Sequence, residues 1–178
     1  MRISSWKLAL FVLPLTFATG ATVAACGGPP GGASKSASMT PGTMPDGATW
    51  NGVYFNPLFG NLHIMETKAG TLAGRWKTAD GSKWGEMNGE VKGNLFRFEW
   101  VEHKIGFVGP MAISKGKGYF IYSRPAGANV DDEIKGEWGL ADSETGNDWN
   151  CVKQRDVKAD LKSIHGEEES TGPSKDWK

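Results

Sequence analysis

Between Trp50 and Arg155 the aromatic and aliphatic residues come in short segments closed by turn-forming residues, and no long apolar run or sustained helical periodicity interrupts them. That rhythm limits the fold more than any other feature of the chain. Nine segments read as strands: 50–56, 60–66, 71–78, 84–92, 94–102, 105–113, 117–124, 133–141 and 148–155. Their spacing is that of an antiparallel meander. Alternation supports several. Leu72, Gly74 and Trp76 share one face, as do Ile134, Gly136, Trp138 and Leu140, with Lys135 and Glu137 opposite. Pro110 weakens the sixth segment, which reads as an edge, a bulge or a loop. With 25 glycines and 8 tryptophans in 178 residues, composition favours β structure too.

No helix in this pattern is long enough to cover a flat sheet, so eight or nine short strands are most economically closed on themselves. The expected fold is all-β, a small antiparallel up-and-down barrel over residues 47–155, with a β-sandwich as the alternative. Closure removes exposed strand edges. Gly74-Arg-Trp76-Lys-Thr-Ala79-Asp80 recurs as Gly136-Glu-Trp138-Gly-Leu-Ala141-Asp142, each followed by a further tryptophan, Trp84 or Trp149. Two copies are too few for a repeat array, and shared hairpin geometry accounts for them; the glycines are expected to make room for an aromatic ring on the same face.

The flanks differ in composition. Residues 26–46 are rich in Gly, Pro and Ser, contain no aromatic residue and read as a tether. In the segment 156–178, Val157, Leu161 and Ile164 fall at helical spacing and predict a short amphipathic helix, followed by a charged, disordered tail from Gly166.

Residues 1–25 have a basic stub (Arg2, Lys7), an apolar stretch from Leu8 to Phe17 and small residues before Cys26, the layout of a secretory signal. Pro14, Thr16, Thr19, Gly20 and Thr22 break the run too often for a retained spanning helix, which needs about 20 predominantly apolar residues. Val23-Ala24-Ala25-Cys26 resembles the lipobox of bacterial lipoprotein precursors. The resemblance implies cleavage after Ala25, acylation of Cys26 and, with Gly27 rather than aspartate next, an outer-membrane location in the cell envelope. An ordinary cleavable signal is the alternative.

Without residues 1–25 the chain keeps 18 of its 20 basic residues and all 20 acidic ones, a formal charge of −2. No basic stripe points to nucleic acid. With Cys26 used as anchor, Cys151 has no partner in the same chain, and a buried, inert thiol is expected there.

The strand Gly60-Asn-Leu-His-Ile64, then Gly70-Thr-Leu-Ala-Gly74-Arg-Trp76, and later Trp138-Gly-Leu140 with Asp148-Trp149, resemble avidin and lipocalin-like barrels of the calycin class. The likeness implies a barrel with an interior ligand site. The first strand, Trp50-Asn51-Gly52-Val53-Tyr54, lacks a ureido-binding polar set and the lipocalin glycine-tryptophan pair, so biotin binding is not implied.

Catalytic motifs are weak. His63, His103 and His165 stand apart from one another, and no Gly-x-Ser-x-Gly elbow is present. Strand alternation puts Glu102 and His103 on opposite faces. The run from Asp142 to Asp148 has the look of a calcium loop but lacks its twelfth-position glutamate, and an ordinary hairpin turn is the simpler reading. No metal or cofactor is expected, nor an enzyme. Tyr54, Trp76, Trp100, Tyr122 and Trp138 are the aromatic residues expected to line the barrel, either as a filled core or as a site for one small ligand. Tyr119-Phe-Ile-Tyr122 is apolar on both faces, so one face must meet the C-terminal helix, another subunit or a ligand. The functional expectation is a membrane-tethered, non-enzymatic binding or interaction module whose partner is a small hydrophobic molecule or an envelope protein; the alternatives are a carrier of a small hydrophobic ligand inside the barrel and an envelope enzyme with an unrecognised site.

Overall fold

A computed structural model describes residues 37–166. The expected signal segment, the expected cleavage position Ala25 and lipidation position Cys26, the first part of the expected tether and the expected tail from Glu167 lie outside the described residues.

Eight strands are formed: β1 (Gly52–Asn56), β2 (Gly60–Lys68), β3 (Thr71–Lys77), β4 (Lys83–Lys92), β5 (Leu95–Lys104), β6 (Ile113–Ser123), β7 (Glu133–Leu140) and β8 (Asn147–Lys153). Each pairs antiparallel with the next, and β8 returns to β1, so the sheet is a closed up-and-down barrel rather than a sandwich. The seam is its narrowest ladder, with Tyr54 opposite Lys153 and Phe55 opposite Val152. Two further bonds reinforce it, Gln154 N–H to Val53 O at 2.8 Å and the Asn56 side-chain amide to Asn150 O at 2.7 Å.

The sixth expected strand, 105–113, is a loop up to Ala112, and Ile113 already opens β6. Gly106 and Gly109 take φ values of 82° and 83°, and Pro110 opens a short 3₁₀ turn, Pro110–Ala112. A proline suits the first position of such a turn and not a ladder. The C-terminal amphipathic helix is also corrected: the chain after β8 turns at residues 155–156, where Asp156 has φ 59°, and then forms only one 3₁₀ turn at Leu161–Ser163, with Val157 exposed. Three apolar residues in so short a segment do not repay helix nucleation when the barrel offers backbone contacts instead.

The expected tether is shorter at its C-terminal end. Ala37 bonds through its carbonyl to Arg97 and through its amide to Glu144, Gly42 exchanges two bonds with Asn94, and Met44 packs on the core. Residues 37–51 are therefore a strap on the barrel.

Inward residues form one core: Tyr54, Leu62, Ile64, Leu72, Trp76, Met87, Phe96, Phe98, Trp100, Phe120, Tyr122, Ile134, Trp149 and Cys151 are all nearly or wholly buried. Glycine makes room for these rings, though not at the repeat positions. A Cβ on Gly85 would lie 2.3 Å from the Trp76 ring, and one on Gly116 would lie 2.8 Å from Trp100. Gly74 faces Met87, and Gly136 is pressed against the Tyr119 carbonyl. The tryptophans following the two repeat copies also point oppositely, Trp149 into the core and Trp84 onto the outer wall, as expected of hairpins that are alike only locally. Leu140, expected on the inner face, is exposed at the end of its strand.

Candidate functional site

The five aromatic candidates all turn inward, but they divide between the two ends of the barrel. Tyr54 and Tyr122 belong to the end crossed by the strap. Here Trp50 packs edge-on against Phe96 and Tyr122, at 5.8 and 5.2 Å between ring centres, and its indole donates to Gly93 O at 3.3 Å. Tyr54 Oη donates to Trp50 O at 2.8 Å. Tyr122 Oη donates to Asp132 at 2.5 Å, and Arg124 clamps the same carboxylate from Nε and Nη2 at 2.6 and 2.9 Å. The Lys153 ammonium bonds Thr49 O and sits 5.5 and 5.3 Å from the rings of Tyr54 and Tyr122. Burial raises both tyrosine pKa values and lowers that of Lys153; Arg124, with help from Tyr122, holds the Asp132 carboxyl below its ordinary range. These polar groups bond one another and the strap, and so close this end.

Trp76, Trp100 and Trp138 gather at the other end, with three residues that sequence reasoning did not select: Phe59, Glu102 and Trp149. Trp138 stands edge-on to Trp100 at 5.2 Å and to Phe59 at 6.3 Å; Phe59 lies 4.5 Å from Trp149, and Trp149 lies 5.1 Å from Trp76. Phe59 hangs from the β1–β2 turn, which Asn56 shapes by accepting from the amides of Leu58 and Phe59. Glu102 enters from β5, two residues beyond Trp100 on the same face, and is paired with Lys83 at 3.0 Å. The space left among these side chains is about 10 Å³, near the minimum that a single water needs. The interior is thus filled by the protein's own rings.

The donors at this mouth are poorly matched. Trp100 Nε1 donates to Lys117 O at 3.2 Å, but among the described residues the indole N–H groups of Trp76 and Trp138 have no acceptor, and that of Trp149 meets only the Cys151 sulfur, too weak an acceptor to satisfy it. Buried donors are almost always paired. Leaving one unpaired costs about 1–3 kcal/mol, so three at one mouth form an unusual cluster. Chemically they offer hydrogen bonds to an acceptor set within an apolar rim.

Comparison with protein-family models, curated proteins and solved structures finds no match to this chain. The closed eight-stranded meander is compatible with a calycin-like barrel.

The remaining sequence candidates do not converge. Glu99 is exposed beside Lys117, His103 stacks on Trp84 on the outer wall, and Asp148 lies opposite Glu137. His63 Nδ1 accepts from the Asp160 amide at 3.0 Å, with burial lowering its pKa. In the 142–148 turn, Glu144 pairs with Arg97 and Asp142 with Lys117, so their carboxylates serve separate cations. Tyr119, the second apolar face of its strand, is covered by this chain itself: Arg97 and Glu137 flank it across the sheet, and its hydroxyl donates to Glu137 at 3.2 Å. Cys151 is buried, and burial pushes its thiol pKa up to about 12.

Proposed function

We propose that this chain is a lipid-anchored, non-enzymatic binding module of the bacterial cell envelope, held at the outer membrane through Cys26 and recognising its partner at the tryptophan-lined mouth. The observation that carries the binding reading is the set of buried indole donors of Trp76, Trp138 and Trp149 without a competent acceptor. A partner group bearing a carbonyl or similar acceptor on an apolar body would satisfy them, and Phe59 and Trp138, only partly buried, form the outer cover of the mouth. The anchor reading rests on the Val23-Ala24-Ala25-Cys26 run. Triple acylation, as in the lipoproteins it resembles, would make membrane attachment lasting, since each buried methylene contributes about 0.8 kcal/mol and one chain alone is marginal.

The second reading is a carrier of a small hydrophobic molecule inside the barrel. The same mouth favours it, but about 10 Å³ of free space requires Phe59 and Trp138 to swing outward before anything enters. Two measurements test these readings. Fractionation of cells expressing the Cys26→Ser variant should move the protein out of the membrane fraction; a variant that stays firmly there contradicts the anchor. Native mass spectrometry of the membrane-extracted protein should show a bound molecule of defined mass if the chain is a carrier, and its absence leaves surface recognition as the reading.

A further inference from the structure

A second surface lies outside the barrel, independent of the mouth. The loop between β5 and β6 folds back beside the outer wall and encloses a groove of about 540 Å³, within the range of ligand-binding clefts. Its wall is flat: the Trp84 and His103 rings stack at 4.4 Å and 11°, and Arg75 lies 5.7 Å from the centre of the Trp84 ring. Its lip is apolar and built to stay in place. Buried Ala112 anchors the loop to the barrel, while Phe107, Val108 and Met111 are 61, 88 and 81% exposed and Ile113 beside them is 51% exposed. Exposed apolar clusters of this kind mark interaction sites.

Charge selects the occupant. Arg75 is already spent, paired with Glu86 at 3.1 Å and donating to Ile164 O at 3.2 Å. Lys104 is not: its ammonium lies 6.0 Å from the centre of the Phe107 ring, and among the described residues no carboxylate pairs with it. The groove, which Gly166 lines beside Trp84, therefore joins one cation without a carboxylate partner among the described residues to a flat aromatic wall and an apolar lip. We propose that it docks an acidic, apolar peptide segment of a partner protein, with a carboxylate on Lys104 and a bulky apolar side chain between Trp84 and Phe107.

The test uses the full-length protein extracted from membranes and three fluorescein-labelled peptides, Glu-Glu-Phe-Leu, Lys-Lys-Phe-Leu and Glu-Glu-Ser-Ser, read by anisotropy against empty micelles. The first should bind, weaken with added salt, and exceed each of the other two by about tenfold. Lys104→Glu and Phe107→Ser, both at exposed or half-exposed positions, should each weaken it by about tenfold with the thermal midpoint unchanged. Equal binding of the acidic and basic peptides, or full affinity in both variants, overturns the proposal. So does binding that emerges only after residues 167–178 are removed, which would assign the groove to the chain's own terminus.

Discussion

Replacing Gly85 by alanine tests whether the interior is as full as described. A Cβ at this position would stand 2.3, 2.4 and 2.7 Å from Cζ2, Cη2 and Cε2 of Trp76, whereas carbon atoms in contact settle at about 3.5–4.0 Å. The indole must therefore retreat by more than about 1 Å, yet Trp149 stands 5.1 Å away on ring centres and the neighbouring void is only about 10 Å³. Overpacking of this kind costs about 1–3 kcal/mol. Restricting the unfolded chain returns about 0.4–1 kcal/mol, so the middle of both ranges leaves a net loss of about 1.3 kcal/mol. For a domain of this size that is a fall in Tm of about 3–8 °C, read by circular dichroism, with urea unfolding to check that the m-value is unchanged. Trp76→Phe removes the clashing atoms, so the double variant should be less destabilised than the sum of the two single variants by at least about 1 kcal/mol. A neutral or stabilised Gly85→Ala, with no coupling to Trp76, would refute the packed interior and restore a hollow barrel.

Other expectations concern titration and reactivity. With its pKa pushed up to about 12 by burial, Cys151 should react with a thiol reagent at pH 8 only as fast as the barrel opens; prompt labelling of the folded protein would contradict this. Asp132 has a folded pKa held below its unfolded value by Arg124 and Tyr122. Its contribution to stability is therefore present at neutral pH and is lost as pH falls below about 4 and through the folded pKa. Urea midpoints measured from pH 6 to pH 2 should fall less steeply for Asp132→Asn than for the native chain, and parallel curves would remove Asp132 from the acid response.

The barrel was legible because its information is local: short alternating segments and turn residues specify a meander, and a meander without covering helices closes. Pro110 likewise marked the one segment that is not a strand. The division of the aromatic residues between two ends was not legible, because it depends on which rings meet across strands distant in sequence. Tyr54 and Trp76 look equivalent as inward aromatics, and both stand opposite Leu62 in the sheet, yet Tyr54 reaches Trp50 and Tyr122 whereas Trp76 meets Trp149. Glu102 carried a usable signal, since alternation from Trp100 puts it inward. Phe59 carried none, because a turn residue has no period to read. The strap has a similar cause: Gly42 holds the Asn94 side chain and amide through its own backbone N–H and carbonyl, which leave no mark in composition.

The most direct measurement of the central claim is the indole ¹⁵N–¹H spectrum of tryptophan-labelled protein before and after addition of detergent-solubilised envelope extract. Trp76, Trp138 and Trp149, the donors without a competent acceptor, should shift, while Trp50 and Trp100, already bonded to Gly93 O and Lys117 O, should stay in place. A spectrum in which the three mouth signals do not move, or in which Trp84 alone responds, would contradict recognition at the mouth.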